Sequence, residues 1–233
     1  MTWNVTVRGR RRARILIRGL MCGFALVTLA NCGSPAKGLV DSYKVADAVR
    51  QDFTVCHGYG CAKKERTSIS DEEWALITRE FLPAPRTAEE ERKRISRAIA
   101  RFEQIVGPKT GTAMDGGGAA IFGRSGSLDC IDESVNTTTY LTFLQRDGFL
   151  QYHDIGSPVV RGNIVLNDWP SNTAIIVEKG TGHEYTVDSY WHDNGKEPEI
   201  MPLYLWTSLC WLDAPQCRRA GPDEVEACCA QNS

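Results

Sequence analysis

A glycine-rich stretch at residues 107–126, with seven glycines in twenty positions, divides this chain into two parts with different sequence patterns. Glycine at this density does not support the interior of a helix or a strand, so the stretch predicts a loop. Before it, apolar residues recur at helical spacing; after one further helical segment, they follow strand patterns. Helices followed by strands, rather than alternating units, predict an α+β fold.

Two helices are predicted before the glycine-rich stretch, and each begins with a capping box. The box at Ser70 begins a helix that reaches about residue 81, and the box at Thr87 begins one that reaches residue 106. The second helix carries an apolar stripe typical of packing on a core, namely Ile95, Ala98, Ile99, Phe102, Ile105 and Val106. Residues 39–106 are therefore predicted to form a helical N-terminal part.

A third helix is predicted over residues 127–147, with Gly148 as its C-cap. Cys130 lies in its first turn, where free N–H groups and the helix dipole lower the pKa of a thiol. Strand patterns follow at residues 149–155, 159–166 and 173–178, and the turn 179–182 joins the last of them to a return strand over 183–189. Residues 127–233 are thus predicted to form the core and a Cys-rich C-terminal tail.

The N-terminal segment has the pattern of a signal peptide. Residues 1–31 hold six arginines and no acidic residue, and they end in a short apolar run of residues 19–30. A membrane span needs about twenty apolar residues, so this run is too short to be one. Removing the segment takes the formal net charge from −2 to −8, and such an acidic chain is not expected to bind nucleic acid.

The run Leu29-Ala30-Asn31-Cys32 resembles the lipobox of bacterial lipoproteins. The resemblance implies that Cys32 is lipidated after cleavage and that residues 32–38 form a tether to the folded part. Asn31 stands where that pattern has a small residue, so ordinary cleavage and release is the alternative. Both alternatives predict an exported bacterial envelope protein that faces the periplasm, with membrane contact only through an N-terminal lipid.

The nine cysteines of the chain fit an oxidising compartment, in which disulfides form. The disulfide candidates lie in two clusters of the mature chain: Cys56 and Cys61, then Cys210, Cys217, Cys228 and Cys229. A local bridge that closes the loop 56–61 is predicted, and the pairing within the second cluster stays open. Cys130 lies far from both clusters, so it is the cysteine most easily left as a free thiol.

The motif Asp129-Cys130-Ile131-Asp132 at a helix start, followed by a hairpin that ends in Asp188, resembles the bacterial transglutaminase-like cysteine proteinase family over about residues 125–206. The resemblance implies a transglutaminase-like core in which one Cys-bearing helix packs on an antiparallel sheet. It also implies a catalytic triad of Cys130, a histidine and Asp188, without a cofactor. The implied activity is that of an amide hydrolase or acyl transferase on peptide or cell-envelope substrates.

The histidine of such a triad has no clear position in the sequence. Pairing across the predicted turn puts Asp188 opposite Thr173, but residues 171–173 are Ser-Asn-Thr. His183 lies an odd number of residues before Asp188 on the same strand, so the two side chains point to opposite faces. His153 and His192 stay open as candidates for the base.

Two functions of different classes therefore stay open. One is cysteine-dependent amide processing at Cys130. The other is a catalytically inactive, disulfide-stapled envelope lipoprotein that binds or scaffolds. An imidazole within hydrogen-bond reach of the Cys130 Sγ atom separates the two. No two histidines have the helical spacing of metal ligands, so a metal site is not predicted.

Overall fold

The computed structural model describes residues 35–118, 126–162, 170–208 and 227–228. The predicted signal peptide, the lipobox with Cys32, and the tail cysteines Cys210, Cys217 and Cys229 lie outside the described residues. Within them, the helices are α1 (Pro35–Ser42), α2 (Asp71–Thr78), α3 (Ala88–Thr110), α4 (Cys130–Arg146) and α5 (Leu203–Ser208). The strands are β1 (Phe53–His57), β2 (Lys63–Thr67), β3 (His153–Ile155), β4 (Val159–Arg161), β5 (Ser171–Glu178), β6 (Glu184–Asp188) and β7 (Glu199–Pro202).

The predicted capping box at Ser70 marks the start of α2, and the Thr87 half of the second predicted box marks the start of α3. The Ser70 hydroxyl accepts a hydrogen bond from the Glu73 N–H at 3.2 Å, and the Glu73 carboxylate accepts one from the Ser70 N–H at 2.8 Å. The Thr87 hydroxyl accepts from the Glu90 N–H at 3.1 Å in the same way. Helix α3 continues to Thr110, past the predicted end at residue 106, and stops where the next residue takes a left-handed conformation.

The predicted helical N-terminal part also contains an antiparallel hairpin, which sequence reasoning missed. Strand β1 pairs with β2 from Phe53 opposite Thr67 to His57 opposite Lys63. The inner strand has the burial of a core strand, whereas β2 is a run of charged, exposed residues. Since β2 lacks the alternation of apolar and polar residues that predicts a half-buried strand, its pairing left no sequence signal.

Helix α4 lies at the centre of the molecule, between α3 and strand β5. Its residues Leu141 and Leu144 are fully buried in the main core with Phe102 of α3 and Ala174 of β5. The rest of its surface is buried as well, including the polar side chains Asp132, Glu133, Ser134, Asn136, Thr137, Thr138 and Thr139. A helix enclosed on all sides must satisfy its polar groups inside the protein, so these side chains indicate either structural contacts or a site.

Strands β3 and β5 to β7 form an antiparallel sheet in the order β3-β5-β6-β7, and β4 also pairs with β5. Strand β7 and helix α5 were not predicted; they precede the cysteines of the predicted C-terminal tail. The α+β class is confirmed, with the Cys-bearing helix α4 packed against β5. Its finer assignment to a transglutaminase-like core stays a prediction.

Candidate functional site

Cys130 lies in the first turn of α4, as the sequence predicted, although the helix begins at Cys130 and not at residue 127. Asp129 caps the helix, because its carboxylate accepts hydrogen bonds from the Ile131 and Asp132 N–H groups at 3.1 and 2.9 Å. The Asp132 carboxylate in turn accepts a hydrogen bond from the Asp129 N–H at 3.3 Å, and the two residues together form a capping box. The short spacing of these acidic residues therefore fixes the backbone on both sides of the cysteine.

The disulfide loop, defined here as residues 56–61, docks on this helix start. Cys56 and Cys61 are bridged, which confirms the predicted local disulfide. The Cys61 and Tyr59 N–H groups donate to the Asp132 carboxylate at 2.6 and 2.8 Å, and the Gly60 N–H donates to Asp129 at 3.0 Å. Hydrogen bonds to charged groups are among the stronger ones in proteins, so the loop is fastened to α4 by its backbone.

This docking requires an unusual backbone in the loop. Residues 58 to 61 all have positive φ angles, and two of them, Tyr59 and Cys61, are not glycine. Such a conformation costs roughly 1–3 kcal/mol for each residue with a side chain. It turns consecutive N–H groups toward the two carboxylates, so the hydrogen bonds described above offset the strain.

Cys56, Cys61 and Asp132 are the only three metal-ligand side chains that lie within 4.8 Å of one another in the described part of the chain. Their ligand atoms are already engaged. The two sulfur atoms are bonded to each other, and the carboxylate accepts three backbone N–H groups. The arrangement is therefore explained as a disulfide anchor.

The Cys130 thiol is free and only 8% exposed. Its Sγ atom lies 3.9 Å from the Pro170 carbonyl oxygen and 3.9 Å from the Asn172 side-chain amide nitrogen. Burial raises the pKa of Cys130; N–H groups of Asn172 lower it, and the charges of Asp129 and Asp188 raise it further. The direction is opposite to the lowered pKa expected from the helix start, and burial is the largest cause.

Asp188 lies where the predicted register puts it. The Glu178 N–H donates to the His183 carbonyl at 2.9 Å, and Ala174 pairs with Val187, so Asp188 falls opposite Thr173. Its surroundings differ from those of a triad aspartate.

The Asp188 carboxylate is buried and hydrogen-bonded without a histidine. It accepts the Trp206 indole N–H at 2.6 Å and the Tyr190 backbone N–H at 3.2 Å. Burial raises the pKa of Asp188, while the bond from Trp206 and the charge of Arg161 lower it. Trp206, from the unpredicted helix α5, is thus a side-chain donor to this carboxylate.

All four histidines of the chain lie among the described residues, and none of them hydrogen-bonds to the Cys130 Sγ atom. His153 is fully buried, and its Nδ1 atom lies 2.9 Å from the Glu91 carboxylate. His192 lies 3.6 Å from the Glu199 carboxylate, and His57 lies 3.9 Å from the Glu65 carboxylate. Each of these three has an acidic neighbour of its own.

Strand geometry explains why His153 and His183 do not approach Cys130. His153 pairs with Glu178, and the backbone of His183 is bonded to the same residue, so both lie at the far end of β5 from Asn172. Six residues of strand separate the two ends, or about 20 Å. The position beside Cys130 is held by an amide, and the neighbouring Ser171 hydroxyl is buried without a hydrogen-bond partner in the described part of the chain.

A cluster of buried carboxyl groups, named here the carboxyl cluster, lies behind the helix start. Its members are Glu103 of α3, Asp115 of the glycine-rich loop and Glu133 of α4. Burial raises the pKa of Glu103 to about 7 and that of Asp115 to about 6, and it raises the pKa of Glu133 strongly. Sequence reasoning missed this cluster, because its members come from three separate segments and share no motif.

The described part of the glycine-rich loop allows a close backbone approach, as expected. A Cβ atom on Gly117 would lie 2.5 Å from the Trp191 carbonyl oxygen, and one on Gly126 would lie 2.0 Å from the Gly111 carbonyl oxygen. Side chains are therefore excluded at both positions. Residues 119–125 lie outside the described residues.

Comparisons with known proteins reveal no relative of this chain. No protein-family model matches it, and neither a curated protein nor a solved structure does. No helix within the described ranges is both long and apolar enough to cross a lipid bilayer. The chemistry of the site therefore rests on its own geometry.

Proposed function

We propose that this chain is an exported envelope protein that acts as a binding or scaffolding module, without thiol catalysis at Cys130. The observation that carries the proposal is the pair of polar groups beside the Cys130 Sγ atom, which are the Pro170 carbonyl and the Asn172 amide. Neither group takes up a proton near neutral pH. A cysteine nucleophile needs a neighbouring base or a lowered pKa, and Cys130 has neither among the described residues.

The electrostatics of the site support the same proposal. The carbonyl oxygen of Pro170 accepts a hydrogen bond from the Cys130 S–H group, and this bond favours the neutral thiol. Burial and the charges of Asp129 and Asp188 raise the pKa of Cys130 above the ordinary value of a cysteine. Only a small fraction of the thiol is then ionised at neutral pH, and the thiolate is the reactive form.

Export and anchoring are part of the proposal. The Cys56–Cys61 disulfide is of the kind that persists in oxidising compartments. Lipidation at Cys32 would hold the protein on the periplasmic face of a membrane, with a peptide or another cell-envelope component as its partner. The acidic net charge of the mature chain argues against nucleic acid.

Iodoacetamide labelling of the purified, non-reduced protein tests the state of the thiol. We expect no labelling of Cys130 between pH 6 and 7 unless the protein is unfolded first, because the thiol is buried and neutral. Peptide mapping by mass spectrometry assigns the modified cysteine. Rapid modification of Cys130 below pH 7 in the folded protein would contradict the proposal and favour the cysteine-dependent amide hydrolase or acyl transferase instead.

A further inference from the structure

The segment that follows β6, residues 189–195 and named here the return loop, is fastened to α3. The Gly195 N–H donates to the Glu103 carboxylate at 2.8 Å, and the Gln104 side chain donates to the Gly195 carbonyl at 2.8 Å. The Asn194 side chain donates to the Glu103 carbonyl at 3.3 Å. One carboxyl group of the cluster therefore holds the backbone of the return loop directly.

The return loop is also bonded to residues 112–118, the described part of the glycine-rich loop that follows α3. The Gly118 N–H donates to the Tyr190 carbonyl at 2.6 Å, and the Gly117 N–H donates to the Asp193 carboxylate at 3.1 Å. From the same segment, the Asp115 carboxylate accepts the Leu128 N–H at 2.8 Å. The two loops and the chain entering α4 thus form one hydrogen-bonded unit around carboxyl groups.

This unit concentrates negative charge in a buried place. The carboxyl groups of Asp115, Asp132, Asp188 and Glu103 all act on Glu133, and the charge of Asp193 acts on Asp115. Two further groups face the cluster from α4 and β4, namely the Tyr140 hydroxyl beside both glutamates and the Arg161 cation beside Asp188. The positive charge of Arg161 acts on Asp188, which lies outside the carboxyl cluster as defined here.

Two polar atoms in the cluster have no partner that meets hydrogen-bond geometry. The Glu103 Oε1 atom and the Ser189 hydroxyl are buried and make no hydrogen bond in the described part of the chain. Glu103 is 7% exposed and Ser189 is 3% exposed. Burial raises the pKa of Glu103 more than the Gly195 N–H and the nearby Ser189 hydroxyl lower it. A buried carboxyl oxygen without a donor is costly as an anion, but it can carry a proton at much lower cost.

We propose that one proton on the carboxyl pair Glu103 and Glu133 keeps the return loop fastened to α3 and to residues 112–118, and that losing this proton releases the loop. In the protonated pair, Glu103 still accepts the Gly195 N–H through Oε2 while Oε1 carries the proton. In the ionised pair, two buried charges repel each other. The loop is the element that can move to admit water to these charges.

The direction of the pH effect follows from the raised pKa values. The fastened loop binds the proton up to the pKa of about 7 at Glu103, whereas a released, solvated glutamate loses it near the ordinary value of about 4.3. Raising the pH from 5 to 7 therefore favours release, by up to about tenfold per pH unit for one proton. Above pH 7 the effect levels off.

Hydrogen exchange of the free protein tests this proposal at single amides. After correction for intrinsic exchange rates, we expect the protection of the Gly195 and Gly118 amides to fall about tenfold per pH unit between pH 5 and 7. The Gly156 amide, which donates to Ile175 in the sheet, is the internal reference and keeps its protection. Because no ligand is added, the result does not depend on the proposed function.

Matched variants separate this proton from general effects of pH. Glu103→Gln keeps an acceptor for the Gly195 N–H and has no proton to lose, so its loop protection should depend less on pH than that of the wild type. If Glu103→Gln does not fold, Glu133→Gln removes the other titrating group of the pair and tests the same prediction. Glu184→Gln changes an exposed glutamate of β6 and should behave like the wild type. Flat wild-type protection between pH 5 and 7, or the wild-type pH dependence in both glutamine variants of the pair, would overturn the proposal.

Discussion

At the scale of single residues, the character of the site depends on which group lies beside the Cys130 Sγ atom. The Asn172 side chain lies within 3.9 Å of it, and an amide can donate a hydrogen bond but cannot accept a proton from a thiol. An imidazole in that place would both accept the proton and stabilise the thiolate as a cation. The side chain beside the Cys130 Sγ atom therefore separates the two proposed functions: an imidazole would favour thiol catalysis, and the Asn172 amide favours a binding or scaffolding module.

Installing an imidazole tests this interpretation. Asn172→His puts a ring nitrogen near the present amide nitrogen, and Ser171→His puts one on the face of β5 that Asp188 shares. We expect at least one of them to lower the pKa of Cys130 by about one unit or more, which raises alkylation at pH 7 about tenfold. Asn172→Gln keeps an amide and is the control. If neither histidine variant changes the alkylation rate, the lack of a base does not explain the low reactivity expected of the thiol.

At the scale of elements, the amino end of α4 and the disulfide loop form one unit. The Asp132 carboxylate is its centre, since it bonds two N–H groups of the loop and one of its own helix. Burial raises the pKa of Asp132 to about 7, as does the charge of Asp129, and the hydrogen bonds from Cys61, Asp129 and Tyr59 lower it. The group therefore works as an acceptor whether or not it carries a proton.

Removing this acceptor should loosen both elements. Asp132→Ala leaves the Tyr59 and Cys61 N–H groups without a partner, and we expect a loss of about 2–4 kcal/mol in the free energy of unfolding. Asp132→Asn keeps one acceptor oxygen and should lose less. Urea denaturation measures both variants, with the exposed Asp154→Ala as the control that changes stability by less than about 0.5 kcal/mol. An alanine variant as stable as that control would refute the role given to Asp132.

Local signals in the sequence were sufficient for several elements. The cap residues Ser70 and Thr87 gave the starts of α2 and α3, because a cap is a contact between residues three positions apart. The turn at 179–182 gave the register of β5 and β6, and with it the residue opposite Asp188.

Contacts between distant segments were not predictable. The strand β2 pairs through its backbone and exposes its side chains, so it carries no apolar signal. Trp206 reaches Asp188 from a helix that the sequence did not indicate. The pKa of Cys130 is raised chiefly by burial, and burial in the folded chain cannot be read from the position of the cysteine at a helix start.

At the scale of the whole molecule, the buried carboxyl groups make stability depend on pH. Burial raises the pKa values of Glu103, Asp115, Asp132, Glu133 and Asp188. The folded chain then binds more protons than the unfolded chain between about pH 4 and pH 7. The stability that these groups contribute is present at the acid end of this range and is lost as the pH rises through it.

We therefore expect the protein to be more stable at pH 5 than at pH 8, by about 2 kcal/mol or more in the free energy of unfolding. Urea denaturation of the oxidised protein at the two pH values measures the difference. Glu103→Gln should reduce it, because one of the groups responsible no longer titrates. Equal stability at the two pH values, or greater stability at pH 8, would show that solvation of these carboxylates in the folded state outweighs their burial.

The disulfide loop has a consequence for the speed of folding. Its two cysteines are five residues apart, whereas its N–H groups bind carboxylates that lie 69 to 73 residues further along the chain. Closing a short loop costs less conformational entropy than bringing together segments so far apart. An oxidised loop meets α4 with its donors already held close together. The disulfide therefore reduces the conformational search needed to form the contact between the disulfide loop and α4.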